Sequence, residues 1–222
     1  MTVLHLADEG EAADLAAFLS RLLHYDRAAA VRLQAVGTAL AVFGRPPSFE
    51  VLAIRAVRLA KPYENGLDVT LDVTVSAGEL LESLDELAAT AGVPAAVTGP
   101  PWAGVLPPRR GWTPESGLPG PQALRGMIAA GVAEFRSRTQ ELTPEARTRA
   151  ELDRIGREIW SRTVGETSLP VRAVHAAQSL GFLRPGGESG LFSSGAWLRL
   201  RTPYGSIAVR RAGLGALGVS VR

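Results

Sequence analysis

The sequence contains no cysteine, and Lys61 is the single lysine among its 24 basic residues. The absence of cysteine excludes disulfides, thiolate catalysis, Cys-ligated zinc and iron–sulfur clusters. Lys61 lies in a predicted turn, so a phosphate-binding loop that depends on lysine is excluded as well. The three histidines are His5, His24 and His175. They are remote from one another in sequence and form no HExxH motif, and we therefore expect no metal and no cofactor.

Long hydrophobic runs are also missing. No stretch approaches the roughly 20 apolar residues that a membrane-spanning helix needs. The N-terminal stretch "MTVLHLADEGEAAD" has no basic segment before its apolar residues and soon turns acidic, which is not the pattern of a signal peptide. With 222 residues and 46% apolar content the chain can bury a substantial core. These features predict a cytoplasmic protein without a membrane partner.

Charge is distributed unevenly along the chain. Residues 1–108 carry 7 basic and 13 acidic side chains, a net charge of −6, whereas residues 109–222 carry 17 and 9, a net charge of +8. Such asymmetry predicts two parts that bind different partners, or two parts that attract each other.

Residues 1–92 have the pattern of an α+β domain. The apolar stripe from Glu11 to His24 predicts a helix that packs on one face. Alternation from Val31 to Val42, the apolar run Phe49–Leu59 and the stretch "LDVTLDVTV" after an Asn65-Gly66 turn predict four strands. Ser76 and Glu79 have the spacing of a capping box, which begins a second helix that we expect to reach Gly92. We predict a two-layer domain with an antiparallel four-stranded sheet and two helices.

Residues 93–121 lack any helical or alternating period and contain eight prolines. This composition predicts an extended linker or a strap laid over a surface. Trp102 and Trp112 favour the strap, because two exposed indole rings would leave much apolar area in water. We therefore predict that both tryptophans anchor the strap. A polyproline-type ligand for another protein is the alternative.

Residues 122–222 are predicted to form three helices followed by a β-hairpin. The first helix covers about 122–139, and Thr143-Pro144-Glu145 has the N-cap, proline and acidic signals of a second helix that extends to about Thr163. The third covers about 169–180 and ends at Gly181. The stretch "AWLRLRTPYGSIAVRR" at 196–211 then reads as two basic strands joined by a tight turn. We expect a fold that is helical in its C-terminal half and ends in this hairpin.

The hairpin is the strongest candidate binding element. Alternation places Trp197, Arg199 and Arg201 on one strand face, opposite Leu198 and Leu200. Three helices and a hairpin have the order of a winged helix, so a nucleic-acid site could use these three residues with Arg172, Arg210 and Arg211. The third helix, "LPVRAVHAAQSLGFL", offers few side chains that could read bases. The same residues therefore also suit a protein partner or self-association.

Other motifs carry little weight. "GLGALG" at 213–218 matches the spacing of a dinucleotide-binding turn, but too few residues follow it for the required helix. Asp68 and Asp72 could approach a cation, although their alternation with threonines indicates the wet face of a strand. No GxSxG motif occurs, and we assign no catalytic residue. The sequence predicts a non-enzymatic interaction or regulatory protein that acts through protein contacts, with a weakly sequence-selective nucleic-acid-binding protein as the alternative.

Overall fold

The computed structural model describes residues 2–63, 70–102 and 104–211, and within them the chain forms five helices and eleven strands. The helices are α1 (Glu9–Tyr25), α2 (Ala77–Glu82), α3 (Pro121–Gln140), α4 (Arg149–Trp160) and α5 (Val171–Ser179). The strands are β1 (Val3–His5), β2 (Ala30–Val36), β3 (Ala39–Gly44), β4 (Leu52–Arg58), β5 (Thr70–Ser76), β6 (Leu84–Asp85), β7 (Thr90–Gly92), β8 (Thr113–Glu115), β9 (Gly190–Ser194), β10 (Trp197–Thr202) and β11 (Gly205–Arg210).

The described strands form two antiparallel sheets. The larger has eight strands in the order β5-β2-β3-β4-β11-β10-β9-β8, and the smaller has the order β1-β7-β6. The predicted α+β class, the antiparallel sheet and the C-terminal hairpin are confirmed.

The first helix and the strands that follow it form for local reasons. Asp8 caps α1 by accepting a hydrogen bond from the backbone N–H of Glu11 at 2.9 Å. The apolar stripe of α1 is buried, with Leu15 and Leu19 fully inaccessible. In β2, Val31, Leu33 and Ala35 point into the core, while the intervening side chains face the other side of the sheet.

The second predicted helix is shorter than expected. Ser76 does cap α2, by accepting a hydrogen bond from Glu79 N–H at 3.3 Å, but the helix ends at Glu82 and does not reach Gly92. The Ser83 Oγ lies 2.8 Å from the carbonyl oxygens of both Leu80 and Gly92, and its single O–H can donate to either where the chain reverses. Strands β6 and β7 follow, and β7 pairs with β1.

The helix predicted from Thr143 begins later. Thr143 accepts a hydrogen bond from Ala146 N–H through its hydroxyl and from Arg147 N–H through its carbonyl, which closes a single turn. Thr148 then provides the N-cap of α4, accepting from Glu151 N–H at 3.3 Å. Two capping residues in tandem therefore divide a segment whose pattern reads as one helix.

The large sheet is built from two units of the same order. The first unit is α1-β2-β3-β4 and the second is α5-β9-β10-β11, and they meet where β4 pairs with β11. This junction, the seam, joins Leu52, Ala53 and Ile54 to Ala208, Ile207 and Ser206. Phe18 of α1 stacks on Phe182, which follows α5, with ring centroids 5.7 Å apart. One continuous core fills the space between the sheet and the helices.

A buried ion cluster spans the seam. Arg55 of β4 is 5% exposed and donates to Glu11 at 2.8 Å, to Asp14 at 3.3 Å and to the carbonyl oxygen of Tyr204 at 2.8 Å. Arg184 donates to Asp14 at 2.6 Å and lies 4.1 Å from the centre of the Tyr204 ring. Acidic groups of the first unit thus bind basic groups from both units.

Three further observations concern ligands and boundaries. Among the described residues, no helix combines the length and apolar character needed to cross a membrane. The same residues contain no cluster of three or more acidic or histidine side chains arranged for a metal ion. The predicted Asn65-Gly66 turn, Asp68 and the "GLGALG" motif lie outside the described residues.

Candidate partner-binding surface

The hairpin directs its polar side chains away from the helices. Leu198 and Leu200 are buried in the main core, so Trp197, Arg199 and Arg201 lie on the opposite face of the sheet. Antiparallel pairing sets Trp197 beside Arg210 and Arg201 beside Ser206 on that face. We call it the outer face.

The proline-rich strap crosses the outer face. Trp102 is 7% exposed and packs in a second apolar cluster with Phe43, Leu52, Ile54 and Ala208. Trp112 is half-buried, and its indole N–H donates to the Pro108 carbonyl oxygen at 2.9 Å. Shortly after Trp112, β8 pairs with β9 at the edge of the sheet. The strap therefore divides the outer face into two grooves.

The first groove, which we call the Trp197 groove, encloses about 820 Å³. It lies where the first turn of α5, the β3–β4 turn, the strap and the open end of the hairpin meet. Arg45, Arg172 and Arg210 supply its positive charges, and Asp26 and Glu50 supply its negative charges. Its apolar lining includes Pro46, Pro47, Val51, Leu52, Val105 and Ala208. The groove thus combines apolar walls with charges of both signs.

The arginines of this groove differ in how firmly they are held. Arg210 donates to the Gly104 carbonyl oxygen, and its guanidinium lies 5.1 Å from the centre of the Trp197 ring. Arg172 lies 3.9 Å from Glu50, and its buried Nε has no hydrogen-bond partner. Arg45 is exposed. Arg45 and the terminal nitrogens of Arg172, for which the described residues provide no hydrogen-bond partner, can donate to a ligand, whereas the Arg172 Nε is buried.

Glu50 occupies a strained position at the edge of the Trp197 groove. Its φ is +52°, a left-handed conformation that residues other than glycine rarely adopt. Such outliers persist where the surrounding structure enforces them, and they concentrate at binding sites. Glu50 also lines the groove, so this turn is part of the candidate site.

The second groove, the Arg199 groove, encloses about 790 Å³ on the other side of the strap. Trp112, Phe192, Arg199, Arg201, Ser206 and Glu188 are among its lining residues. Arg199 donates to the Ser206 hydroxyl at 3.1 Å, and its guanidinium lies 5.7 Å from the Trp112 ring centre. Burial lowers the pKa of Arg199, and the nearby positive charge of Arg201 lowers it further.

The six predicted binding residues do not form one site. Arg172, Trp197 and Arg210 line the Trp197 groove, whereas Arg199 and Arg201 line the Arg199 groove. Arg211 lines neither groove and forms an ion pair with Glu115 of β8 at 2.5 Å. A hydrogen bond to Ser193 and the Arg211 cation keep the pKa of Glu115 below its ordinary value.

Sequence reasoning missed Arg45 and Glu50. Both lie in the β3–β4 turn, although Glu50 falls within the apolar run Phe49–Leu59 that predicted a strand. An exposed arginine before two prolines in a turn is the signal that could have been used, because binding residues concentrate on loops held by a rigid scaffold.

Comparison with known proteins yields two family matches and a fold. Residues 1–104 match a family described as "Domain of unknown function (DUF8010)", and residues 107–214 match one described as "Domain of unknown function (DUF8185)". The two matches adjoin within the strap. No curated protein matches the chain.

A solved structure covers nearly the whole chain. It is the DNA polymerase sliding clamp from Pseudomonas aeruginosa, crystallised with a ligand, and it matches with a TM-score of 0.50 and 13% identity over 95% of this chain. The fold resembles a sliding clamp. This chain spans 64% of the length of that clamp chain. At this identity the likeness concerns the fold alone.

Proposed function

We propose that the chain is a non-enzymatic interaction protein that holds an acidic, partly apolar peptide segment of a protein partner in the Trp197 groove. The observation that supports this proposal is the combination of an apolar floor, a tryptophan and three arginines in one groove. Tryptophan and arginine are the residues that most often dominate binding energy at protein interfaces.

Charge complementarity defines the occupant. Arg45 and Arg172 have donors available, whereas the Arg172–Glu50 contact of 3.9 Å is long for an ion pair. A peptide carboxylate that displaced Glu50 from Arg172 would gain a shorter, charge-assisted bond. Leucine or phenylalanine side chains of the same peptide would pack against the partly exposed Val105 and the Trp197 ring.

A nucleic acid fits this groove less well. Asp26 and Glu50 would face a phosphate backbone, and Arg210 is already bound to Gly104 and Trp197. Arg211, which the nucleic-acid alternative also requires, is paired with Glu115. The alternative remains worth testing because the similar solved structure is named as a DNA polymerase sliding clamp.

The test uses two synthetic 12-residue peptides in which leucine and phenylalanine alternate with either Asp/Glu or Lys. Binding to the full chain is followed by fluorescence anisotropy and by the indole N–H signals of the four tryptophans. We expect the acidic peptide alone to bind and to shift the Trp197 signal. Arg172→Gln should weaken binding at least about tenfold, since a hydrogen bond to a charged group contributes roughly 1.5–3 kcal/mol.

Arg136→Gln is the matched control, because Arg136 is an exposed arginine of α3 that lines neither groove. Equal weakening by Arg136→Gln and Arg172→Gln would overturn the proposal, as would no binding of the acidic peptide. A duplex DNA titration at low and physiological salt forms the second arm. Tight binding that falls steeply with salt and shifts the Trp197 signal would favour the nucleic-acid alternative instead.

A further inference from the structure

The Arg199 groove differs from the Trp197 groove in its charge. Arg199 and Arg201 are two residues apart on β10 and point to the same side, so their Cα atoms are separated by about 7 Å. Among the described residues, no carboxylate lies within ion-pair distance of either guanidinium. Glu188 also lines the groove but is exposed and pairs with neither arginine.

Most other arginines near the sheet are neutralised. Arg32 is paired with Asp72 at 2.7 Å, Arg55 with Glu11 at 2.8 Å, and Arg184 with Asp14 at 2.6 Å. An arginine that is partly buried without a counter-ion pays a desolvation cost that its neighbours avoid. Within the described part of the chain, Arg199 and Arg201 therefore have no carboxylate partner, whereas Arg32, Arg55 and Arg58 on other strands of the sheet each have one, and Arg210 binds the Gly104 carbonyl oxygen instead.

The donors of Arg199 are also incompletely used. One terminal nitrogen donates to the Ser206 hydroxyl at 3.1 Å, while its buried Nε has no hydrogen-bond partner. The Ser206 hydroxyl can in turn donate to a ligand, because a hydroxyl is both donor and acceptor. Trp112 and Phe192 flank these groups in the groove.

We propose that the Arg199 groove binds a single oxyanion of the phosphate class between Arg199, Arg201 and Ser206. A guanidinium matches two oxygens of such a group with two parallel N–H donors. The bound anion would supply the missing counter-charge and would accept from the terminal guanidinium nitrogens, because the Arg199 Nε is itself buried. Burial and the Arg201 charge lower the pKa of Arg199 because each makes the free cation less stable than it is in water, and a bound anion would counteract both effects.

This site is separate from the one assigned to the peptide. The strap lies between the two grooves, and they share no lining residue. The peptide proposal and the oxyanion proposal can therefore be refuted independently of each other.

The test titrates the full chain with inorganic phosphate and with pyrophosphate, using nitrate as a singly charged control. The indole N–H signal of Trp112 reports on the Arg199 groove, and that of Trp197 reports on the other groove. We expect phosphate and pyrophosphate to shift the Trp112 signal, with little change for Trp197. Nitrate at equal ionic strength should leave both signals unchanged.

Arg201 is exposed, so Arg201→Gln should fold normally and is expected to weaken phosphate binding at least fivefold. Arg199→Lys keeps the charge but loses the two-donor geometry, and it should weaken binding as well. Arg136→Gln should bind as the wild type does. No Trp112 shift up to tens of millimolar phosphate, or equal affinity in Arg201→Gln, would overturn the proposal.

A 12-nucleotide single strand provides the last arm. If it binds far more tightly than pyrophosphate, spans both indole signals and loses affinity steeply with salt, the single-oxyanion proposal is replaced by a nucleic-acid surface. If pyrophosphate and the single strand compete with comparable affinity and shift Trp112 alone, the single-group site is supported.

Discussion

Removal of the Arg55 side chain should destabilise the protein strongly. Arg55 is 5% exposed and holds two carboxylates and one backbone carbonyl. Deleting one partner of a buried ion pair costs about 3–5 kcal/mol, because the remaining charge is left buried and unpaired. In Arg55→Ala, Glu11 keeps Arg58 at 2.8 Å and Asp14 keeps Arg184 at 2.6 Å. We therefore expect a loss near the lower end, about 3 kcal/mol.

The assay is urea unfolding followed by far-UV circular dichroism and by tryptophan fluorescence. For a chain of this length, about 3 kcal/mol corresponds to a fall in Tm of roughly 6–12 °C. Arg58→Ala is the matched control, since Arg58 binds the same Glu11 but its side chain is 72% exposed, and its loss should be much smaller. A loss below about 1 kcal/mol in Arg55→Ala, or an equal loss in both variants, would refute the reasoning. Because Arg55 joins the first unit to the Tyr204 carbonyl oxygen of the second, circular dichroism and tryptophan fluorescence should report a single unfolding transition.

Two further predictions concern the strap and the partly buried His175. Trp102→Ala should lower the free energy of unfolding by about 3–5 kcal/mol and should speed tryptic cleavage after the exposed Arg109 and Arg110. Trp112→Ala should have smaller effects on both. Equal digestion of the two variants would show that Trp102 does not anchor the strap. Burial against Trp160 and Phe49 lowers the pKa of His175 in the folded chain. As the pH drops below about 6.5, the unfolded chain therefore binds a proton on His175 before the folded chain does, and the free energy of unfolding should fall. His175→Phe should flatten that part of the stability-against-pH curve measured by urea unfolding, and an unchanged curve would contradict the assignment.

Local patterns predicted the elements that are specified by neighbouring residues. The stripe of α1, the Ser76 cap and the alternation around Leu198 and Leu200 each depend on contacts within a few positions, and the structure contains all three. The short strands β6 and β7 were missed because their two or three residues are too few to show a period. β7 pairs with β1 and β6 pairs with β7, and no local pattern reveals either pairing.

The layout of the candidate sites was less accessible from sequence. Alternation could place Trp197 and Arg199 on one face, but it could not show that the strap separates them into different grooves. Nor could it reveal that Arg211 is bound to Glu115, 96 positions earlier. The register across the sheet is set by packing of the whole chain. Basic residues that are neighbours on one hairpin therefore need not belong to one binding site.

The seam between β4 and β11 has a consequence for synthesis of the protein. Ile54 and Ser206 are about 150 positions apart, so β4 emerges from the ribosome long before its partner exists. At 5–20 residues per second, the edge of β4 stays unpaired for roughly 8–30 s in every nascent chain. An open strand edge with Leu52 and Ile54 can pair with another chain in that interval. Fast translation of the segment between the two units, or a factor that covers the β4 edge until β11 has been synthesised, would reduce this mispairing.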